Sequence, residues 1–152
     1  MRFIGEHTAK LDDRGRLIFP SEFRVLANTL AAKYVVRRDI YKDDRLEMYP
    51  MEEWEKYAEE VKARLNIHTE EGSDMWEQFN SDRAVIMPDE QMGRITIPKH
   101  LLEEIQVQKE VVFKGVNNKI QIMSKEARER ERSAANRKEF AKTFDKLMRK
   151  QE

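Results

Sequence analysis

One short string of residues occurs twice in this chain and limits what the chain can fold into. The first copy occupies residues 15–20 (GRLIFP) and the second occupies residues 93–98 (GRITIP). Glycine, arginine and proline recur at a constant separation of 78 residues. Self-similarity of this kind indicates two copies of one supersecondary unit. We therefore predict two tandem units with the same order of elements.

The first unit is predicted over residues 3–50. A strand over 3–11 leads into a charged turn, where Gly15 supplies the positive φ that tight turns need. Residues 17–19 form a returning strand that Pro20 ends. Ser21 is a plausible N-cap for a helix with one apolar face, and two further strands, at 34–36 and 45–49, complete the unit. The residues of that apolar face are Phe23, Leu26, Ala27 and Leu30.

The second unit is predicted over residues 83–124 and repeats that order. A strand at 84–86, a turn at 90–93, a returning strand at 95–97 and a short helix near Leu101 follow one another. Strands at 111–113 and 119–123 then flank a turn rich in glycine and asparagine. The shared order of elements favours an α+β fold, mainly β, in which the two units pack together.

Two helical regions complete the chain. Residues 51–82 carry ten acidic and three basic residues, with apolar residues at helical spacing from Trp54 to Leu65. A second short helix there is predicted to be capped by Ser73, and both helices are predicted to pack between the units. Residues 125–152 form a charged helical tail with one apolar stripe, which usually packs on the same protein or on a sister subunit. The stripe consists of Phe140, Phe144, Leu147 and Met148.

Composition narrows the class of protein. Units of roughly 45 residues commonly need a partner to bury enough apolar surface, so packing between units or subunits is expected. The sequence contains no cysteine, which excludes disulfides and thiol catalysis. It also lacks an apolar run near the roughly 20 residues of a membrane span, and its first residues do not resemble a signal peptide. We expect a cytoplasmic protein with no membrane partner.

The residues that usually perform catalysis are poorly supplied. The three histidines lie far apart without the spacing of metal ligands, so neither a metal nor a cofactor is expected. No serine lies in a nucleophile elbow, and the few glycines form no phosphate-binding loop. Asp12 and Asp13 are adjacent on an extended chain and point in opposite directions, which disfavours a shared proton. We predict that the chain is not an enzyme.

The first charged turn allows two interpretations. Asp12, Arg14 and Arg16 could be ordinary solvated residues, with Asp12 and Arg16 forming a surface ion pair worth roughly 0–1 kcal/mol. Alternatively, Asp12 holds Arg16 in a fixed pose for DNA, because the planar guanidinium matches phosphate and the O6/N7 edge of guanine. The net charge of zero gives no support of its own to DNA binding. The repetition of Gly-Arg makes the two interpretations about equally supported.

The sequence resembles the MraZ family over residues 3–124. The resemblance is carried by Asp12-x-x-x-Arg16 within LDDRGRLIFP, by the junction YPMEEW at residues 49–54, and by the GRITIP echo. It implies two AbrB-like swapped-hairpin units that form a pseudo-twofold β-barrel, and subunits that assemble into rings. It also implies a regulator, nucleoid-associated, that binds directly repeated promoter boxes of the bacterial division and cell-wall gene cluster. Double-stranded DNA and further copies of the chain are the implied partners.

The family's DNA-contacting signature is the Asp-x-x-x-Arg turn. It corresponds here to Asp12 and Arg16, with Arg14 at the basic position inside the turn. The constant separation places Glu90 and Arg94 in the second turn, where Met92 replaces the inner arginine. The second turn is therefore expected to contribute less to DNA contact. A protein-interaction module of antitoxin-like type, which would use the helical tail, is the alternative function.

Overall fold

The computed structural model describes residues 3–26 and 33–150, in which eight strands and six helices are formed. The strands are β1 Glu6–Lys10, β2 Arg16–Ile18, β3 Tyr34–Arg38, β4 Arg45–Pro50, β5 Ala84–Ile86, β6 Arg94–Thr96, β7 Glu110–Val116 and β8 Lys119–Ser124. The helices are α1 Ser21–Leu26, α2 Met51–Arg64, α3 Glu70–Asn80, α4 Lys99–Glu104, α5 Lys125–Ala134 and α6 Arg137–Lys150. The α+β class and the repeated order of elements are confirmed.

Strands of the two units alternate within one six-stranded sheet, in the order β1-β7-β8-β4-β3-β5. All of its neighbouring strands are antiparallel. The order is unchanged when each strand of one unit is exchanged for its counterpart in the other. β1 pairs with β7 of the second unit, and β5 pairs with β3 of the first. Each unit thus gives its first strand to the other, which makes the two units inseparable.

The returning strands form a separate two-stranded sheet, in which β2 pairs with β6. Among the described residues, β1 and β2 are joined by the charged turn but share no ladder of hydrogen bonds. The hydrogen bonds of the described strands therefore define two sheets, and the closed β-barrel that the resemblance implied is not observed. Exchange of strands between units replaces the local hairpin because cross-unit pairing satisfies the backbone of both strands.

The main core lies between the two sheets and the short helices α1 and α4. Leu17 and Ile95 point inward from β2 and β6, and a group of aromatic rings packs edge to face beneath them. Burying each such side chain stabilises the fold by roughly 1.5–3 kcal/mol before entropy is counted. The buried aromatic residues are Phe3, Phe19, Phe23, Tyr34 and Phe113.

The helices α2 and α3 pack on the outer face of the β3–β4 hairpin. Trp54 and Phe79 stack against each other with ring centroids 5.2 Å apart, above Val35 and Tyr49. The guanidinium of Arg37 lies 4.9 Å from the Phe79 ring, and Nη1 of Arg37 donates to the Phe79 carbonyl. These helices were predicted to pack between the units, and most of their described contacts lie on β3 and β4 of the first unit.

Several local boundaries also differ from prediction. Thr69, not Ser73, caps α3, because its hydroxyl accepts from the Gly72 amide. Gly72 fits there because a Cβ would overlap the Asn66 carbonyl. Ser21 is the first residue of α1 and not its cap, and the predicted apolar positions Ala27 and Leu30 lie outside the described residues.

Candidate nucleic-acid interface

The first charged turn is organised by the carboxylate of Asp12. Its Oδ1 accepts from the amides of Arg14 (2.9 Å) and Arg16 (2.8 Å), and its Oδ2 accepts from Nε of Arg16 (2.9 Å). The Gly15 amide donates to the Asp12 carbonyl at 3.0 Å, and Gly15 has φ of +75°. One side chain therefore fixes both the backbone of the turn and the direction of Arg16. The predicted pairing of Asp12 with Arg16 is confirmed.

Among the described residues, nothing besides Asp12 engages the guanidinium of Arg16, and its outer fork has no partner there. Guanidinium has five N–H donors, and Asp12 engages the single one on Nε. The terminal Nη1 and Nη2 groups remain in the fork arrangement that fits two acceptors of a phosphate or a guanine edge. The backbone hydrogen bond from Arg16, aided by those from Arg14 and the Arg16 side chain, lowers the pKa of Asp12. Asp12 is accordingly ionised near neutral pH, and the turn stays intact.

The second turn is held in the same way as the first, by Asp89 and not by Glu90. The Oδ1 of Asp89 accepts from the amides of Met92 (2.8 Å) and Gly93 (3.0 Å), and its Oδ2 accepts from Nε of Arg94 at 2.6 Å. The hydrogen bond from the Met92 amide, followed by that from Arg94, holds the pKa of Asp89 far below its usual range. Glu90, which the constant separation places at the acidic position of the second turn, is exposed within the loop.

Asp89 holds Arg94 in place of Glu90 because the two turns differ in length. The second turn is one residue longer, so its acid lies five residues before the arginine instead of four. The glycine, arginine and proline of the two copies are 78 residues apart. The two aspartates, which come before the inserted residue, are 77 residues apart. An alignment of Pro88-Asp89 with Leu11-Asp12 that allows one inserted residue identifies Asp89 as the acid of the second turn. An alignment with a fixed separation of 78 does not identify it.

The two-stranded sheet brings the two arginines to one surface. Arg16 pairs with Thr96, and Arg94 pairs with Ile18, in adjacent antiparallel strands. The residues between them, Leu17 and Ile95, are buried, so the arginines project from the opposite, outer face. Strand geometry puts their Cα atoms about 8 Å apart. Two oriented guanidiniums, each held through Nε, therefore lie on one outer face of the molecule.

The remaining predicted site residue, Arg14, lies exposed in the first turn. Within residues 3–26 and 33–150, its guanidinium makes none of the intramolecular ion pairs, and these residues contain no cluster of His, Cys, Asp or Glu suited to a metal.

One cation that sequence reasoning missed, Arg24 of α1, rests against Gly93 of the second turn. The exchange of strands creates that proximity, and no local pattern signals it.

Comparison with known proteins places the chain in a family. A family model described as "MraZ protein, putative antitoxin-like" matches residues 2–75 and 85–149. The chain belongs to the MraZ family. The two matched stretches correspond to the two units and their following helices. The second stretch reaches residue 149, so the resemblance extends beyond Ser124 and includes α5 and nearly all of α6.

Curated relatives agree with this membership. A protein named transcriptional regulator MraZ from Bacteroides fragilis is 38% identical over 131 residues, 86% of this chain and 82% of the relative. Proteins of the same name from Bacteroides thetaiotaomicron and Caldanaerobacter subterraneus are 34% and 32% identical, covering 85% and 81% of this chain and 82% and 81% of their own lengths. These relatives are named as transcriptional regulators, which supports a role in regulation and the prediction that the chain is not an enzyme.

Helix length bears on one further prediction. In the part of the chain that the structure describes, no helix is sufficiently long and apolar to cross a lipid bilayer.

Proposed function

We propose that the chain regulates transcription by binding double-stranded DNA through its two arginine-bearing turns. The observation that carries this proposal is the placement of Arg16 and Arg94 on one outer face, each held through Nε by an aspartate. An arginine that is oriented before contact loses less entropy on binding than a free one. The shared name of its relatives supports the same function.

The finer points of the proposal come from the family resemblance. The DNA is a set of directly repeated promoter boxes ahead of the division and cell-wall gene cluster, and the protein works in the cytoplasm at the nucleoid. Several copies, arranged in a ring, engage several boxes. One subunit offers few phosphate contacts and binds weakly, whereas linked subunits gain from high effective concentration. The overall charge of zero limits binding to unrelated DNA.

The decisive experiment replaces Arg16. Arg16→Ala removes a fork worth about 1–3 kcal/mol per contact, and the loss is multiplied over the subunits of an assembly. We expect specific binding to promoter DNA from the source organism to disappear while the thermal unfolding curve is unchanged. Arg16→Lys, which keeps the charge but not the fork, is expected to lose specificity more than overall affinity.

Arg64→Ala is the matched control, because Arg64 is exposed near the end of α2, outside both turns. It should bind promoter DNA as wild type does. Wild-type affinity of Arg16→Ala for a fragment carrying the repeated boxes, compared with the same fragment with one box scrambled, would refute the proposal.

The second candidate function is that of a protein-interaction module. The observation that favours it is the apolar stripe of α6, where the Phe140 side chain is 70% exposed and stacks only partly on Phe144. A dedicated partner for that stripe would be lost on its replacement by serines, whereas recognition of a single DNA box would not. Comparing the two activities in one variant separates the functions.

A further inference from the structure

The two turns differ in where their second cation is found. The loop of the first turn contains Arg14, whose counterpart in the second loop is Met92. The helices that pack against the two turns show the reverse difference, with an apolar residue facing the first turn and an arginine facing the second. α1 and α4 both follow a proline, so Arg24 of α1 corresponds to Leu102 of α4. Arginine and an apolar residue are thus exchanged between loop and helix.

The contacts show that each helix residue faces a turn of the other unit. Leu102 is buried and lines a shallow cavity together with Asp12, Arg14 and Gly15 of the first turn. Arg24 lies against the second turn, because a Cβ built on Gly93 would overlap its guanidinium. Gly93 has φ of +70° and is covered by this guanidinium. The contact of Leu102 with the first turn and that of Arg24 with the second turn are therefore equivalent under the pseudo-twofold relation between the units.

Within the part of the chain that the structure describes, Arg24 has no acidic partner. Its Nε has no hydrogen-bond partner among the described residues, and its guanidinium forms no ion pair with them. Its neighbour Tyr34 is a phenol whose pKa burial raises to about 12, against the opposing charge of Arg24, so the hydroxyl stays neutral. The residue as a whole is half-buried, and its Nε is buried where the guanidinium covers Gly93.

Counting Arg24 gives the two turns the same charges. The first turn has two arginines, Arg14 and Arg16, with two carboxylates from Asp12 and Asp13. The second has Arg94 with Asp89 and Glu90, and is net negative unless Arg24 is included. A net negative turn would repel phosphate, whereas a second guanidinium removes that repulsion.

We propose that Arg24 supplies from α1 the cation that the second loop lacks, so that both turns offer two guanidiniums to DNA phosphate. The inference rests on the proposed function, and it extends that function by adding a residue outside both turn loops. It also removes the expected weakness of the second turn, since the missing arginine at position 92 is replaced through space.

The test moves the cation between the two positions. Arg24→Leu reproduces the residue found at the equivalent place in α4, and Arg24→Leu with Met92→Arg rebuilds the arrangement of the first turn. With promoter DNA, Arg24→Leu should lower affinity at least fivefold. It should also reduce the slope of log K against log salt by about 0.9 for each subunit engaged. The double variant should recover both the affinity and the slope.

Two further variants keep the test decisive. Arg24→Gln removes the charge but keeps an aliphatic stem with a polar end group, and it replaces the leucine variant if that variant unfolds. It should show the same reduced slope. Arg64→Leu, on exposed α2, is the matched control and should behave as wild type.

The outcomes distinguish this inference from the proposed function. A reduced affinity with an unchanged salt slope, which Met92→Arg does not restore, would mean that Arg24 only packs on Gly93 and would overturn the inference. Wild-type binding by the Arg24 variants, in an assay where Arg16→Ala has lost binding, would also overturn it. If Arg16→Ala binds as wild type, the proposed function itself fails.

Discussion

The helices α2–α3 and α5–α6 follow matching strands but are attached to the sheet by different forces. α2 begins directly after Pro50 of β4, and α5 begins directly after Ser124 of β8. The sheet residues beneath them are the cross-strand pairs Val35–Tyr49 and Val112–Met123. The same position in the fold is therefore covered by α2 and α3 in the first unit, called the first cover, and by α5 in the second unit, called the second cover.

The first cover is aromatic. Trp54 and Trp76 stack on Phe79, and Tyr57 stacks on Tyr49 with centroids 5.5 Å apart. The buried guanidinium of Arg37 fills the space beside them. Both helices are thereby tied to the sheet through apolar contact.

The second cover is ionic and uses only α5. Arg128 and Arg132 both pair with Glu6 of β1, and Glu131 pairs with Lys114 (2.9 Å) and with buried Arg45. The described side chains of α6 are all exposed. The paired strands therefore maintain the two-unit topology, while the helices that cover them differ, and α6 leaves its apolar stripe exposed.

The largest effect is expected from breaking the aromatic cover. Trp54→Ala removes a side chain that is 2% exposed, and such truncations cost about 3–5 kcal/mol of unfolding free energy. Urea unfolding measures the change. Met75→Ala, on the exposed side of α3, is the control and should change stability by less than about 0.5 kcal/mol. A small effect of Trp54→Ala would show that the aromatic cover is dispensable.

Breaking the ionic cover should have a smaller effect. Glu131→Ala leaves Arg45 with Asp44 and Gln121 as its remaining partners, and should cost roughly 2–3 kcal/mol. Glu129→Ala, exposed on the same helix, should be neutral. Chemical unfolding at neutral pH compares the two, and equal stabilities would contradict an ionic attachment of α5.

The same carboxylate predicts a dependence on pH. Burial raises the pKa of Glu131, but Lys114 and Arg45 outweigh it and lower that pKa to about 2. Its stabilisation is therefore complete above the ordinary value of 4.5 and is lost as pH falls toward about 2. Unfolding free energy measured from pH 6 to pH 2 should fall more steeply for wild type than for Glu131→Gln. Parallel curves would refute this.

The smallest effect on stability is expected in α6. Replacing Phe140 and Phe144 by serine removes exposed rings, so unfolding free energy should change by less than about 0.5 kcal/mol. If a sister subunit covers the stripe, the assembly mass measured by light scattering should fall. Thr143→Ala, exposed on the same helix, is the control. An unchanged mass would direct attention to a different protein as the partner.

Much of the fold could be predicted because its signals are local. The glycine-arginine-strand-proline string, the alternation of strands and the apolar face near Trp54 each reflect residues close in sequence. Helix caps were less predictable, since Thr69 and Ser73 are equally suitable residues and only the packing of Gly72 against Asn66 decides between them. The ion pairs of α5 were not predicted from the charged tail, because their partners on β1, β4 and β7 are distant in sequence.

The sequence by itself determined the two units and the Asp12–Arg16 turn, and it predicted a protein that is not an enzyme. Only the tertiary structure decided which acid holds Arg94, because one inserted residue shifts the carboxylate while the backbone hydrogen bonds of the turn are kept. It also decided that Arg16 and Arg94 share one face, and that Arg24 reaches Gly93. Both follow from strands exchanged between units, a pairing that brings together residues too far apart for any local pattern to relate.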